Sequence, residues 1–102
     1  VVGYACSTPF RPKPAYRTSV ETTVYVAPAA TGRGVGGRLY QALFDALAGE
    51  ELHRAYAGIV PPNPASVALH RRFGFHEVGV AREVGHKLGR YWDVAWFEKG
   101  LD

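Results

Sequence analysis

Thr31-Gly32-Arg33-Gly34-Val35-Gly36-Gly37 sets glycines at close intervals between an apolar strand and an amphipathic helix. Without Cβ atoms, such a backbone can turn its amide hydrogens into one concavity. The helix that starts there adds unpaired N–H groups and the positive end of its dipole. Strand, glycine turn and helix start together make a phosphate cradle. On a second helix, Ser66 and His70 stand one turn apart on one flank. An imidazole there has the right chemistry for moving protons near neutrality.

Several phosphate compounds compete for such a cradle. Gly32-x-Gly34-x-x-Gly37 formally satisfies the dinucleotide fingerprint, which would make the chain an oxidoreductase. However, Ala27 to Thr31, including Pro28, separate strand from glycine. The next strand also ends Gly58-Ile59-Val60-Pro61, where an acidic residue should hold the ribose. A nucleoside-triphosphate loop needs Lys and Ser/Thr where Arg38 and Leu39 stand. What remains is a pyrophosphate held by backbone amides without a metal, as in coenzyme A.

The elements that must position this cradle read as follows. Val1–Cys6 is a strand. Residues 7–17, with Pro9, Pro12 and Pro14, are an extended connection. Val20–Val26 is the strongest strand signal, with Val20, Thr22, Val24 and Val26 on one face and Glu21, Thr23 and Tyr25 on the other. Val35 to about Glu50 is a helix with Leu39, Leu43 and Leu47 inward, beside Ala42 and Ala46. Ala55–Val60 is a buried strand. Asn63-Pro64 caps the second helix, whose stripe is Ala65, Ala68, Leu69 and Phe73 with His70 at its edge; Gly74 ends it. Phe75–Val84 and Tyr91–Phe97 are strands around a polar turn at Gly85–Arg90. The order β-β-α-β-α-β-β predicts one α/β (α+β) domain with helices packed on a sheet. Trp92, Val94 and Trp96 alternate on one face, as core or subunit packing would place them.

Composition narrows the partners. Among 102 residues, 47% are apolar and 21% charged, ordinary for a globular chain. A net charge of +3 without a Lys/Arg block is poor evidence for nucleic acid and suits either an anionic ligand or a solvated surface that happens to be basic. The single cysteine, Cys6, makes no intrachain disulfide and is expected as a buried structural thiol; the four histidines form no metal motif. No apolar run reaches membrane-span length, and no signal peptide opens the sequence. The expected setting is a reducing cytoplasm. The chain opens inside an apolar strand, Val1 to Cys6, without Met or a polar lead-in, as though an upstream segment were missing.

Val24-Tyr25-Val26, Pro28, the turn Thr31–Gly36 and the following helix resemble the acyl-CoA signature of the GNAT acetyltransferase superfamily. Asn63-Pro64-Ala65-Ser66-Val67-Ala68-Leu69-His70 with Phe73-Gly74-Phe75 resembles its later helix and Gly-Phe ending. Gly3-Tyr4-Ala5, Pro9-Phe10-Arg11, Ala15-Tyr16, Val20–Val26 and Gly85–Arg90 are similar to the phosphinothricin N-acetyltransferase branch. The resemblance covers essentially the whole chain. It implies a mixed, mostly antiparallel sheet flanked by helices. The family's opening strand, two helices and strand, which wall much of the acceptor pocket, have no counterpart in residues 1–102. Thr31 also stands where the family usually has Arg or Gln.

The resemblance further implies acetyl-CoA as donor, no metal, direct transfer to the amine of a small amino-acid-like acceptor, and a homodimer, with neither nucleic acid nor membrane as partner. It casts Glu21, the only acid in its strand, as general base, against a plain carboxylate paired with Arg17 or a Lys. It casts His70, where the superfamily often has Tyr, as donor to the departing thiolate. Val24, Tyr25 and Val26 would hold the pantetheine arm. Thr31, Gly32, Arg33, Gly34, Val35 and Gly36 would hold the pyrophosphate, and Asn63 and Ser66 would contact the arm. A non-catalytic acyl-CoA-binding or dimerisation module is the alternative.

Overall fold

Alternating β-branched residues between Ser19 and Val26 form the strand on which the rest is assembled. The computed structural model describes residues 3–101. Its strands are β1 (Gly3–Pro9), β2 (Ser19–Val26), β3 (Arg54–Ile59), β4 (His76–Lys87) and β5 (Arg90–Gly100); its helices are α1 (Val35–Leu47) and α2 (Pro64–Arg72). The sheet order is β1-β2-β3-β5-β4. Only β2 and β3 run parallel, joined through α1 as a crossover; the other pairs are antiparallel. The mixed, mostly antiparallel sheet with two helices is the expected architecture.

Both helices cover one face of the sheet. Val20, Tyr40, Ala55, Ala57, Ile59, Phe75, Ala95 and Phe97 form the buried core between them. Thr22 and His70 are the buried polar residues. On α1 the inward stripe is Tyr40 and Leu47 with Leu43 and Phe44 partly buried, while Ala42 and Ala46 face out. The helix ends at Leu47, three residues before Glu50, with Ala48 as cap and Gly49 beyond it. Asn63 caps α2 as its sequence predicts, its Oδ1 accepting from the Ser66 amide at 3.1 Å. Gly74, at φ +90°, closes α2. Its N–H donates to the Arg71 carbonyl and that of Phe75 to the His70 carbonyl, a Schellman ending.

Four readings are corrected. β1 continues to Pro9, which an edge strand tolerates at its end; Val1 and Val2 lie outside the described residues. The β4–β5 hairpin is longer than expected, because Gly85, His86 and Lys87 stay paired with Trp92, Tyr91 and Arg90 beyond a bulge between Ala81 and Gly85. Its turn is Leu88-Gly89 alone, both at positive φ, the twist a two-residue hairpin favours. Ala95 and Phe97 face the helices, so of the core or subunit packing expected for the Trp92–Trp96 face the first is lost. Cys6 is exposed on the opposite sheet face, because Gly3 and Ala5 take the inward positions of β1.

Candidate active site

β2 and β3 pair only at Ser19–Arg54, Val20–Ala55 and Glu21–Tyr56. Beyond Glu21 the two strands part, so the edge of β2 that faces β3 has no strand partner among the described residues. The fork opens into a groove of about 540 Å³ between β2, the start of α1 and the start of α2. That volume suits a ligand of cofactor size.

Glycine makes the convergence of the three elements sterically feasible. A Cβ on Gly36 would lie 3.2 Å from Leu69 Cδ2 and 3.5 Å from Val26 Cγ2. Gly34 begins α1 in the left-handed region at φ +72°, where a side chain would be strained. Residues 31–34 form a turn, but no well-aligned short hydrogen bond is donated by a backbone N–H from Gly32 to Gly37 among the described residues. These amides, at the positive end of α1, are free for an anion. No acidic side chain lines the groove.

The groove brings together Val24, Tyr25, Val26, Thr31, Gly32, Gly34, Val35, Gly36, Asn63 and Ser66. Arg33 stays outside the lining; its carbonyl accepts from Arg38 Nη1 at 3.1 Å. Thr31 spends its hydroxyl on the Pro28 carbonyl at 2.9 Å. Sequence reasoning missed Ala30, Gly37, Ala65, Leu69 and Arg72 as lining. The signal for three of them was present: Ala65, Leu69 and Arg72 fall at i, i+4 and i+7 on one face of α2. Arg72 is the only cation in the lining.

Glu21 and His70 lie on opposite faces of the sheet. Val20 and Thr22 are buried under the helices, so Glu21, between them, projects to the other face. It is the last paired residue before the fork, half-buried, with no ion pair among the described residues. The Arg17 or Lys pairing is absent there. His70 sits at the centre of the buried face of α2 rather than at its edge, only 3% exposed. Tyr40 Oη lies 2.7 Å from its Nε2, and the Ser66 carbonyl 2.7 Å from its Nδ1. Ser66 Oγ, on the groove side, is 3.4 Å from the same Nδ1.

Burial holds the His70 imidazole below the ordinary histidine range, with the Ser66 carbonyl opposing that shift. The folded protein therefore resists a proton that the unfolded chain accepts. Stability from this group is complete above about pH 6.5 and is lost as pH falls through the folded value, at up to about 1.4 kcal/mol per pH unit. Urea melts at about pH 7.5 and 5.5 are expected to show the weaker protein at the lower pH. His70→Asn should remove most of that difference; an unchanged difference would place its origin elsewhere.

No group of three His, Cys, Asp or Glu side chains able to hold a metal occurs among the described residues. No helix there is long and apolar enough to cross a membrane.

Comparison with known proteins agrees with this geometry. The model of the Acetyltransferase (GNAT) family matches residues 1–75. A phosphinothricin N-acetyltransferase of Streptomyces coelicolor is 69% identical over 99% of this chain and 59% of its own length. An L-methionine sulfoximine/L-methionine sulfone acetyltransferase of Pseudomonas aeruginosa is 40% identical over 100% of this chain and 59% of its own. The crystal structure of a phosphinothricin acetyltransferase from Sinorhizobium meliloti in complex with AcCoA superposes with a TM-score of 0.89 at 36% identity, covering 98% of this chain and 54% of that one. The chain thus spans less than two thirds of the length of these relatives. A family match through the glycine turn and both helices, on a sheet that forks where the groove begins, shows that the chain belongs to the GNAT acetyltransferase family.

Proposed function

We propose that this chain carries the coenzyme-binding half of an acetyl-CoA-dependent N-acetyltransferase, with a small amino-acid-like amine as acceptor. Phosphinothricin and methionine sulfoximine or sulfone are the acceptors that its relatives' names suggest. The observation that carries the reading is the run of free amides from Gly32 to Gly37 beside the unpaired edge of β2. These residues fit a diphosphate: the amides are open, the floor is glycine, and Arg72 adds positive charge. Val24 and Val26 offer main-chain N–H and C=O groups to an extended amide-bearing arm, as an added strand would use them. Asn63 and Ser66 form the facing wall, and Thr31, Tyr25 and Val35 complete it.

Acetyl-CoA, when bound, supplies a thioester carbonyl open to attack and a thiol that leaves. Most alkyl amines are protonated near neutrality, so a base must first free the nucleophile. Glu21, at the fork and without a competing cation, takes that proton directly or through water. His70 holds a proton on Nδ1, and its route to the groove runs through Ser66 Oγ. Exposed Val78, Val84, Leu88 and Tyr91 on the β4–β5 hairpin support a homodimer. The reading includes a cytoplasmic setting without a membrane partner, and the modest net charge of +3, with no Lys/Arg block, argues against nucleic acid.

Calorimetric titration with coenzyme A and with NADH, run beside an acetyl-transfer screen over small amines, tests the reading. Saturable coenzyme A binding, no NADH binding and transfer to an amino-acid-like amine are expected. Binding without transfer would leave a coenzyme-binding module, and a preference for NADH would overturn the assignment.

A further inference from the structure

Beneath the groove lies a hydrogen-bonded chain of which the proposed reaction uses only the His70 end. Thr22 Oγ1 is 3.0 Å from Tyr40 Oη, and Tyr40 Oη is 2.7 Å from His70 Nε2. All three residues are at most 3% exposed. Each comes from a different element of the groove: β2, α1 and α2. The protons on this chain can be assigned. A carbonyl only accepts, so His70 Nδ1 carries the hydrogen that faces Ser66 O. Nε2 is then a lone pair, and the Tyr40 hydroxyl donates to it. Thr22 in turn donates to Tyr40. Around the imidazole stand the rings of Tyr40, Phe75 and Phe97, and among the described residues no ion pair or hydrogen bond joins it to a charged group.

We infer that Tyr40 is a positioning residue for the coenzyme groove: by donating to His70 Nε2 it keeps the proton on Nδ1, facing Ser66, and locks the first turn of α2 against α1 and β2. This rests on the groove holding coenzyme A. Burial raises the Tyr40 hydroxyl to about 12, which keeps it a donor throughout the working pH range. Its unsatisfied partner would be a buried lone pair, so the bond is costly to lose.

The test compares the unmodified protein with Tyr40→Phe and His70→Asn by two-bond ¹H–¹⁵N imidazole spectra, backbone amide shifts and coenzyme A calorimetry. The unmodified protein should show His70 protonated on Nδ1, with Nε2 a hydrogen-bonded acceptor. Tyr40→Phe should move the Nε2 signal to a free position and shift the Asn63 and Ser66 amides. It should also weaken coenzyme A binding about tenfold, the worth of one hydrogen bond. His70→Asn, which keeps a donor toward the Ser66 carbonyl and loses the Tyr40 contact, should weaken it similarly. A proton found on Nε2 overturns the inference, even if Tyr40→Phe fails to fold. So does a Tyr40→Phe protein that melts lower yet keeps its coenzyme affinity and its Ser66 amide shift. If the unmodified protein ignores coenzyme A, the groove assignment falls, while the imidazole and Ser66 signals still decide the role of Tyr40.

Discussion

Glu21→Gln is expected to lower acetyl transfer by roughly 100- to 10,000-fold, the usual worth of a positioned general base. The carboxamide keeps the shape and hydrogen-bonding reach of the side chain but has no basic site at neutral pH. Position argues for the large effect. Glu21 is the last residue of β2 paired to β3, so its side chain leaves the sheet at the apex where the strands separate. The groove's lining begins three residues later, at Val24. No ion pair among the described residues engages it. Because it stands outside the groove lining, coenzyme A affinity should change by less than about twofold. Initial rates across pH, with calorimetry on the same samples, check both halves. Unchanged turnover would remove Glu21 from the chemistry, and a parallel loss of coenzyme affinity would recast it as a structural residue of the fork.

What the sequence disclosed was whatever local backbone chemistry dictates. Gly34 and Gly36 announce a cradle because only glycine tolerates a left-handed helix start or a floor 3.2 Å from Leu69. Asn63-Pro64 announces a helix start for equally local reasons. The fork was not legible, because it is an absence of long-range pairing after Glu21–Tyr56. Nor was the depth of His70, which depends on a tyrosine thirty residues earlier meeting its Nε2. Period-two alternation in β5 was plain, yet alternation alone does not say which face is inward. The Trp92–Trp96 face was open to core or to subunit packing. The helices chose the other one, where Ala95 leaves room and Phe97 fills it. Gly85 illustrates the same limit: it fits a turn or a strand equally well, and only the register with Trp92 returns it to the ladder after the bulge.

That choice of face sets the largest stability effect. Phe97 is 0% exposed on central strand β5, opposite Ala57 of β3 and Glu77 of β4. Its ring lies 6.4 Å from the His70 imidazole, and Arg71 stacks over it at 6.0 Å. Phe97→Ala should therefore cost about 3–5 kcal/mol, the transfer of a phenyl ring plus the cavity it leaves. Against a total of about 5–15 kcal/mol for a typical domain, that is a large share of the stability. The midpoint of thermal unfolding is expected to fall by at least about 12 °C. Trp96→Ala provides the contrast. Trp96 packs over Gly58 on the uncovered face, its ring 3.3 Å from where a Cβ would stand, and keeps partial solvent contact. Although the larger ring is removed there, the loss should be smaller, because the open face collapses without leaving a closed void. Urea titrations of both variants at about pH 7.5, above the His70 transition, separate these effects from imidazole protonation. A Trp96→Ala protein less stable than Phe97→Ala would mean that the covered side of the sheet, with its clasp of Tyr40 and His70, is not where folding free energy is concentrated.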